Sequence, residues 1–264
     1  MALDLRLGGS VVLVTGGVRG VGAGIARAFL AAGASVVVCA RNEPEELVAV
    51  EGKSAEFLPC DVREPDQVSK LVDEVSDRHG RLDVLVNNAG GAPFAEAATA
   101  SPRFHDRVVA LNLLAPLTLA RYANSVMQRQ DSGGAIVNVG SVSGARPSPG
   151  TASYGAAKAG LVSLTGSLAV EWAPKVRVNA LEVGMVRTEL AELHYGDEAG
   201  VAAVGSTVPL GRLAEPDEIG TCAVFLASPL ASYVSGATMA VHGGGEVPAF
   251  LRESTAVWKG GDER

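Results

Sequence analysis

The chain has 264 residues, of which 47% are hydrophobic and 19% charged, and this composition suits one large α/β domain or two small ones. Its net charge of −7 and scattered arginines argue against nucleic acid as a partner, because nucleic-acid binders carry a basic patch. Every apolar run is broken before the roughly 20 residues of a membrane span, and the N-terminal residues lack a secretory pattern. We therefore expect a cytoplasmic protein without a membrane partner.

Strand-like and helix-like runs alternate along the chain. Strands are predicted at 10–14, 35–39, 55–60, 84–87, 135–139, 176–181 and 238–241. Helices are predicted at 20–32, 43–50, 65–79, 103–128, 152–172, as a loose pair within 188–205, and at 216–227. The alternation predicts an α/β fold with a doubly wound parallel sheet of about seven strands, covered by helices on both faces in three layers. Without a linker or repeat, residues 1–264 are predicted to form a single domain.

Three cysteines, Cys39, Cys60 and Cys222, are too few and too widely spaced for a zinc site or a disulfide framework. We expect them to be reduced thiols in the core, and we predict no metal site.

A glycine-rich loop follows the first predicted strand and runs directly into a helix. It reads Thr15, Gly16, Gly17, Val18, Arg19, Gly20, Val21, Gly22. Glycines permit a tight turn and a close backbone approach to a pyrophosphate, whose charge is met by the free N–H groups of the helix N-terminus. In this strand–loop–helix context the loop predicts dinucleotide binding.

Ser141, Tyr154 and Lys158 form a candidate acid–base group. Tyr154 and Lys158 are four residues apart in a predicted helix and therefore share one face. A phenol ionises near pH 10, so a neighbouring ammonium that lowers its pKa would let it exchange a proton at neutral pH. Ser141 follows the strand at 135–139, where open α/β sheets bind ligands. A surface Tyr–Lys pair and a serine in a turn are the alternative interpretation.

These motifs together resemble the short-chain dehydrogenase/reductase family. The resemblance rests on the TGxxxGxG glycines at 16, 20 and 22, the Asn87-Asn88-Ala89-Gly90 run and the Ser141, Tyr154, Lys158 set, and it covers residues 8–246. It implies hydride transfer between a nicotinamide and a carbonyl or alcohol carbon, with Tyr154 as general acid/base. Ser141 would donate a hydrogen bond to the substrate oxygen, and Lys158 would also bind the nicotinamide ribose.

The resemblance also implies a fourth catalytic residue and a set of cofactor contacts. Asn112 would hold a water that links Lys158 to solvent; the alternative is a helix-kinking residue bonded to the backbone. The implied cofactor-binding residues are Gly16, Val18, Arg19, Gly20, Val21, Arg41, Asp61, Val62, Asn88, Ala89, Gly90, Tyr154, Lys158, Gly184, Val186 and Thr188. Asp61 would accept the adenine amino group, although it could equally cap the next helix.

The cofactor predicted from charge is NADP(H), with NAD(H) possible. NAD-preferring sites place a carboxylate at the end of the second strand, where this chain has Ala40. Arg41 follows, and Arg19 lies in the glycine loop, so two guanidinium groups could bracket a 2′-phosphate. If both arginines are merely solvated, NAD(H) is tolerated.

A departure from the family pattern and a variable segment follow the sixth predicted strand. Glu182-Val183-Gly184 stands where the family usually reads Ser-Pro-Gly. We expect Glu182 at the surface, with a pocket acid as the alternative. We expect Arg146 to be a solvated loop residue, with a contact to a substrate carboxylate or to the phosphate of a thioester as the alternative. Residues 188–208 should form a substrate lid. Its pocket-lining residues would be Leu190, Leu193, His194, Tyr195, Val201 and Val204, with Phe94 and Met185 opposite. This set favours a fairly hydrophobic ketone or secondary alcohol, with His194 in a structural role.

The sequence therefore predicts an NADP-dependent oxidoreductase that interconverts a carbonyl and a secondary alcohol. A 3-oxoacyl-thioester reductase is the first alternative; a non-catalytic dinucleotide sensor or scaffold and an epimerase or dehydratase are others. The helices that hold Asn112 and Tyr154 are apolar on more than one face, which indicates contact with another subunit, and the resemblance to the family implies a homotetramer. The tail at 246–264 carries Phe250, Leu251 and Trp258, and both disorder and docking on a neighbouring subunit are open.

Overall fold

A computed structural model describes residue 5 and residues 7–253; Trp258, and with it most of the predicted tail contact, lies outside them. Seven parallel strands form one sheet. They are β1 (Val11–Thr15), β2 (Ser35–Ala40), β5 (Glu56–Pro59), β6 (Val84–Asn87), β7 (Gly134–Val139), β8 (Val176–Val183) and β9 (Thr238–Val241). Their order across the sheet is β5-β2-β1-β6-β7-β8-β9. The predicted doubly wound α/β fold is confirmed.

Helices cover both faces of this sheet. They are α1 (Gly20–Ala31), α2 (Pro65–His79), α3 (Pro102–Val109), α4 (Ala115–Met127), α5 (Ala152–Glu171), α6 (Ala191–Tyr195), α7 (Glu198–Gly205), α8 (Pro216–Ala227) and α9 (Ala249–Glu253). No helix among the described residues is long and apolar enough to cross a membrane.

Alternate side chains along each strand pack into two separate hydrophobic cores, one on each face of the sheet. Val11 and Leu13 of β1 pack with α2 and α4, whereas Val12 and Val14 pack with α1 and α8. This alternation follows from the pleat, which turns successive side chains to opposite faces, and it explains why the strands are apolar throughout. The sheet is thereby clamped between its helices, and the carboxyl ends of its strands share one edge.

Two predicted helices were wrong in part. Residues 43–48 are not helical, and Ala49–Val50 (β3) pairs with Lys53–Ser54 (β4) in a small antiparallel hairpin. Glu51 and Gly52 turn this hairpin with φ of 49° and 78°, a left-handed pair typical of two-residue hairpin turns. The predicted helix at 103–128 is interrupted by a π-helical turn at Ala110–Leu114.

The cysteines agree with the prediction in the part of the chain that the structure describes. All three are free thiols; Cys39 and Cys60 are buried and Cys222 is half-buried.

Candidate active site

The glycine loop joins β1 to α1 at the carboxyl edge of the sheet. Gly16 and Gly20 have φ of 63° and 51°, a region that favours glycine. A Cβ placed on Gly22 would lie 2.2 Å from the carbonyl oxygen of Gly16, so no larger residue fits there. The loop thus turns tightly enough to present the N-terminus of α1 to the cleft, a geometry that fits a pyrophosphate.

A cleft of about 860 Å³ opens from this loop across the edge of the sheet. All sixteen residues predicted to bind the cofactor line it: Gly16, Val18, Arg19, Gly20, Val21, Arg41, Asp61, Val62, Asn88, Ala89, Gly90, Tyr154, Lys158, Gly184, Val186 and Thr188. They come from helix α5 and from the segments that follow five strands, β1, β2, β5, β6 and β8, whose carboxyl ends meet at one edge of the parallel sheet.

One end of the cleft carries several guanidinium groups. Arg19 and Arg41 line it as predicted, and so does Arg63, which sequence reasoning missed. Arg63 holds Asp61 through two hydrogen bonds of 2.9 and 2.5 Å to its carboxylate oxygens. This contact, with a smaller contribution from Arg41, lowers the pKa of Asp61.

Asp61 does not cap the next helix. The N-cap of α2 is Glu64, and the Asp61 carboxylate instead accepts a hydrogen bond from the backbone N–H of Arg63 at 3.1 Å. The capping alternative was therefore wrong, and Asp61 remains at the cleft.

The opposite end of the cleft holds Ser141, Tyr154 and Lys158. Tyr154 and Lys158 lie one turn apart on α5, and the ammonium nitrogen is 5.6 Å from the centre of the phenol ring. Lys158 Nζ donates a 2.6 Å hydrogen bond to the carbonyl oxygen of Val139 at the end of β7. Ser141 begins a short 3-10 turn, where its Oγ accepts the N–H of Ser143 at 3.2 Å.

Burial controls the protonation of this group. It raises the pKa of Tyr154, and a hydrogen bond with Ser141 acts in the opposite direction. It also lowers the pKa of Lys158 to about 8. The expected lowering of the phenol pKa by the lysine is not found, because desolvation disfavours both phenolate and ammonium.

Asn112 lies in the π-helical turn and is fully buried. Its Nδ2 donates to the carbonyl oxygens of Gly91 and Val108, both at 2.9 Å, and its Oδ1 accepts the N–H of Gly91 at 2.9 Å. These are the backbone bonds of the alternative interpretation. These bonds hold the π-helical turn against the loop that follows β6. The loop residue Gly90 lies between Asn112 and Lys158, because a Cβ placed on it would be 2.7 Å from Asn112 Oδ1 and 3.4 Å from Lys158 Nζ.

The segment after β8 is well held despite lacking the proline of the family pattern. The N–H of Gly184 donates to the carbonyl oxygen of Val241 at 3.0 Å, and Val186 forms a bridge with Ala214. Thr188 reaches the glycine loop, since its Cγ2 would lie 3.5 Å from a Cβ on Gly20. Gly184 and Thr188 therefore line the cleft, with Thr188 next to the start of α1.

Comparison with known proteins agrees with this geometry. A family model described as enoyl-(acyl carrier protein) reductase matches residues 16–246. The chain belongs to the short-chain dehydrogenase/reductase family. It is therefore an oxidoreductase that acts on CH–OH groups, and the family implies a nicotinamide dinucleotide as cofactor.

Three similar proteins illustrate the range of this family. The chain is 38% identical to an L-fucose dehydrogenase of Oryctolagus cuniculus, over 94% of this chain and 88% of the relative. It is 35% identical to a 3-oxoacyl-[acyl-carrier-protein] reductase of Thermotoga maritima, over 91% and 99%. The solved structure of a Thermoplasma acidophilum aldohexose dehydrogenase matches with a TM-score of 0.85 and 29% identity, over 97% and 98%.

Residues 188–208 of this short-chain dehydrogenase/reductase line the cleft with fewer side chains than predicted. Leu190, His194 and Tyr195 face the cleft. The other predicted pocket residues of this region do not: Val201 belongs to a small core with Ala191 and Leu213, Met185 and Val204 pack against that core, and Leu193 is 78% exposed. Phe94 is 75% exposed and sits over Gly150.

Glu182, expected at the surface, instead faces a second cavity, whereas Arg146 lines the same cavity with an exposed side chain, as predicted. Glu182 Oε1 is 3.7 Å from Nε2 of His242, and both side chains are about three-quarters buried. Arg146 pairs with Glu246 at 2.5 Å. Neither pair has a local sequence signal, because the partners are 60 and 100 residues apart.

Proposed function

We propose that this enzyme interconverts a carbonyl and a secondary alcohol with NADP(H), and that Tyr154 is the general acid/base. The observation that carries the proposal is the convergence of Ser141, Tyr154 and Lys158 at one end of the cofactor-sized cleft. When bound, the dinucleotide supplies or accepts the hydride. The residues of the chain then have to orient the substrate oxygen and move its proton.

In the direction of carbonyl reduction, Tyr154 is suited to donate a proton. Its raised pKa keeps the phenol protonated at neutral pH, and Ser141 beside it offers a second hydrogen bond that stabilises charge developing on the substrate oxygen. Lys158 is anchored to Val139 close to the phenol, where it is placed to bind the nicotinamide ribose beside the reacting oxygen. Asn112 fixes the adjoining loop, and its proposed water relay stays a prediction.

Charge at the other end of the cleft supports NADP(H) over NAD(H). Arg19 and Arg41 both line this end, and β2 ends at Ala40 without a carboxylate. Asp61 is engaged by Arg63. A 2′-phosphate would therefore meet guanidinium groups rather than a free carboxylate. Comparison of kcat/KM for NADPH and NADH tests this part, and a preference for NADH would refute it.

The proton role of Tyr154 is tested with Tyr154→Phe, which removes only the hydroxyl. Turnover should fall by at least about 100-fold, as for loss of a general acid, while the NADPH dissociation constant from fluorescence titration stays within about twofold. Tyr233→Phe is the matched control, because Tyr233 is fully exposed. Retained turnover in Tyr154→Phe would remove the phenol from the mechanism.

A 3-oxoacyl-thioester reductase is the second candidate, and the Thermotoga maritima relative favours it. The three named relatives divide between sugar dehydrogenases and this thioester reductase, so the similarities alone leave the substrate class open. NADPH oxidation with a 3-oxobutanoyl thioester, compared with simple ketones, separates the two candidates.

We also propose one cytoplasmic catalytic domain, with residues 188–208 as its lid, that assembles as a homotetramer. The support for assembly is a set of exposed apolar side chains around α4 and α5: Leu114, Leu117, Val162 and Val170, the last 81% exposed. Contiguous apolar surface of this kind marks interfaces. Light scattering during gel filtration should give four times the chain mass, and a monomer would contradict the assembly.

A further inference from the structure

A second cavity of about 390 Å³ adjoins the catalytic cleft. It lies between the turn that follows Ser141, the carboxyl ends of β8 and β9, and residues 245–249. Gly184 lines both the cavity and the cleft. The cavity is therefore placed where the part of a substrate beyond its reacting carbon could extend.

Four charged or ionisable side chains line this cavity, beside apolar ones from Val142, Ala145, Met185, Val247, Pro248 and Ala249. Arg146 and Glu246 form one pair, and Glu182 and His242 form another. The separation of 3.7 Å between Glu182 and His242 is too long for a direct hydrogen bond. Among the described residues, the buried Nδ1 of His242 has no hydrogen-bonding partner. A ligand in the cavity can therefore form hydrogen bonds with Glu182 and His242. It can also reach the partly exposed side chains of Arg146 and Glu246.

Tyr195 connects these charges to the catalytic group. Its ring lines the catalytic cleft, and burial raises its pKa, while the charges of Arg146 and Glu246 act on it in opposite directions. Tyr195 in turn contributes to the raised pKa of Tyr154. The Arg146–Glu246 pair, Tyr195 and Tyr154 therefore lie within electrostatic reach of one another, in that order.

We infer that this cavity binds the distal part of the substrate and that this part carries several hydroxyl groups, as in a polyol or a sugar. A hydroxyl both donates and accepts, so a chain of hydroxyls can bond to the carboxylates of Glu182 and Glu246 and to the donors of Arg146 and His242. The inference rests on the proposed function, because it names the substrate class of the same reaction.

The other substrate chemistries fit the lining less well. An apolar chain would match residues such as Met185 and Val247, but it would take the Glu182 carboxylate and the His242 imidazole further from water without offering them a hydrogen bond, which is costly. A phosphate or carboxylate on the substrate would meet Arg146 but also the two carboxylates, Glu182 and Glu246. An uncharged ligand with many hydroxyls can donate hydrogen bonds to the carboxylates and accept them from the guanidinium of Arg146.

The test compares oxidation of polyhydroxylated and apolar alcohols by the purified full-length enzyme with NADP⁺. The probes are tetritols, pentitols, hexitols and aldohexoses, with cyclohexanol as the apolar secondary alcohol and 3-oxobutanoyl thioester reduction as a further arm. The wild-type enzyme should show its highest kcat/KM with a polyhydroxylated substrate. A preference for cyclohexanol or for the thioester would overturn the inference and leave the proposed hydride transfer intact, whereas no turnover of any substrate would overturn both.

Variants then test the named residues. Arg146→Leu and Glu182→Gln should each lower the ratio of kcat/KM for the best polyhydroxylated substrate to that for cyclohexanol by about 10-fold or more, as expected for a lost hydrogen bond to a charged group. Arg27→Leu is the matched control, since Arg27 pairs with Asp217 on the distant α1–α8 surface. NADPH titration shows that each variant is folded. An unchanged ratio in both folded variants would refute the assignment of the cavity.

Discussion

The buried Lys158 should destabilise the folded protein. Its replacement by methionine should raise the free energy of unfolding. A lysine whose pKa is 10.5 in the unfolded chain and about 8 in the folded protein loses about 3 kcal/mol at pH 7, because burial penalises its charge. Methionine has a similar length and no charge. The replacement also removes the hydrogen bond from the charged Nζ to Val139, which is worth about 2 kcal/mol. Lys158→Met should therefore gain about 1 kcal/mol at pH 7 while losing turnover.

The pH dependence gives the sharper test. Between pH 8 and 10.5 the unfolded chain still binds the lysine proton and the folded protein has released it, so stability rises with pH through this window. The cost of Lys158 falls from about 3 kcal/mol at pH 7 to about 1.5 kcal/mol at pH 9.5. The gain from Lys158→Met should shrink by the same difference.

Urea unfolding of the cofactor-free enzyme, followed by circular dichroism at one protein concentration, measures both quantities; a fixed concentration is needed because assembly would shift the midpoint. Lys70→Met is the matched control, since Lys70 is exposed on α2 and its replacement should change stability by less than about 0.5 kcal/mol. A Lys158→Met variant that is destabilised at pH 7, or whose gain does not shrink with pH, would refute the argument that burial sets the lysine pKa.

Three further changes test the cleft and its support. Arg41→Ala should weaken NADPH binding by about 10-fold or more with little change for NADH, by fluorescence titration; equal weakening of both would contradict a 2′-phosphate contact. Gly22→Ala should abolish cofactor binding, because its Cβ would collide with the Gly16 carbonyl. In Gly166→Ala, the matched change in α5, the added Cβ meets nothing within 4 Å. This second variant should be more stable than the wild type by up to about 1 kcal/mol in thermal unfolding. Asn112→Ala removes the side chain that bonds to three backbone groups, the N–H and carbonyl of Gly91 and the carbonyl of Val108, and should cost about 2–4 kcal/mol in urea unfolding; a loss under about 1 kcal/mol would show that these bonds are dispensable.

The strands and most helices were predictable because each signal is local. A parallel strand buried on both faces is a continuous apolar run, and all seven were predicted to within about two residues of their observed ends. The helix predicted at 43–50 failed because Glu45 and Glu46 favour helix locally but face solvent, so no packed face holds a helix there. The π-helical turn escaped prediction because it depends on Asn112 bonding to Gly91, 21 residues earlier in the chain.

The candidate site divides in the same way. The residues of the glycine loop and the Tyr154–Lys158 pair were predictable from spacing, because one turn or one helix sets their geometry. The direction of the Tyr154 pKa was not, since it depends on how deeply the fold buries the phenol rather than on which cation stands four residues away. The charged cavity beside Ser141 is likewise a product of tertiary structure. Its ion pairs join residues whose strands and loops meet only when the sheet is complete, which is why substrate choice has to be argued from the folded protein.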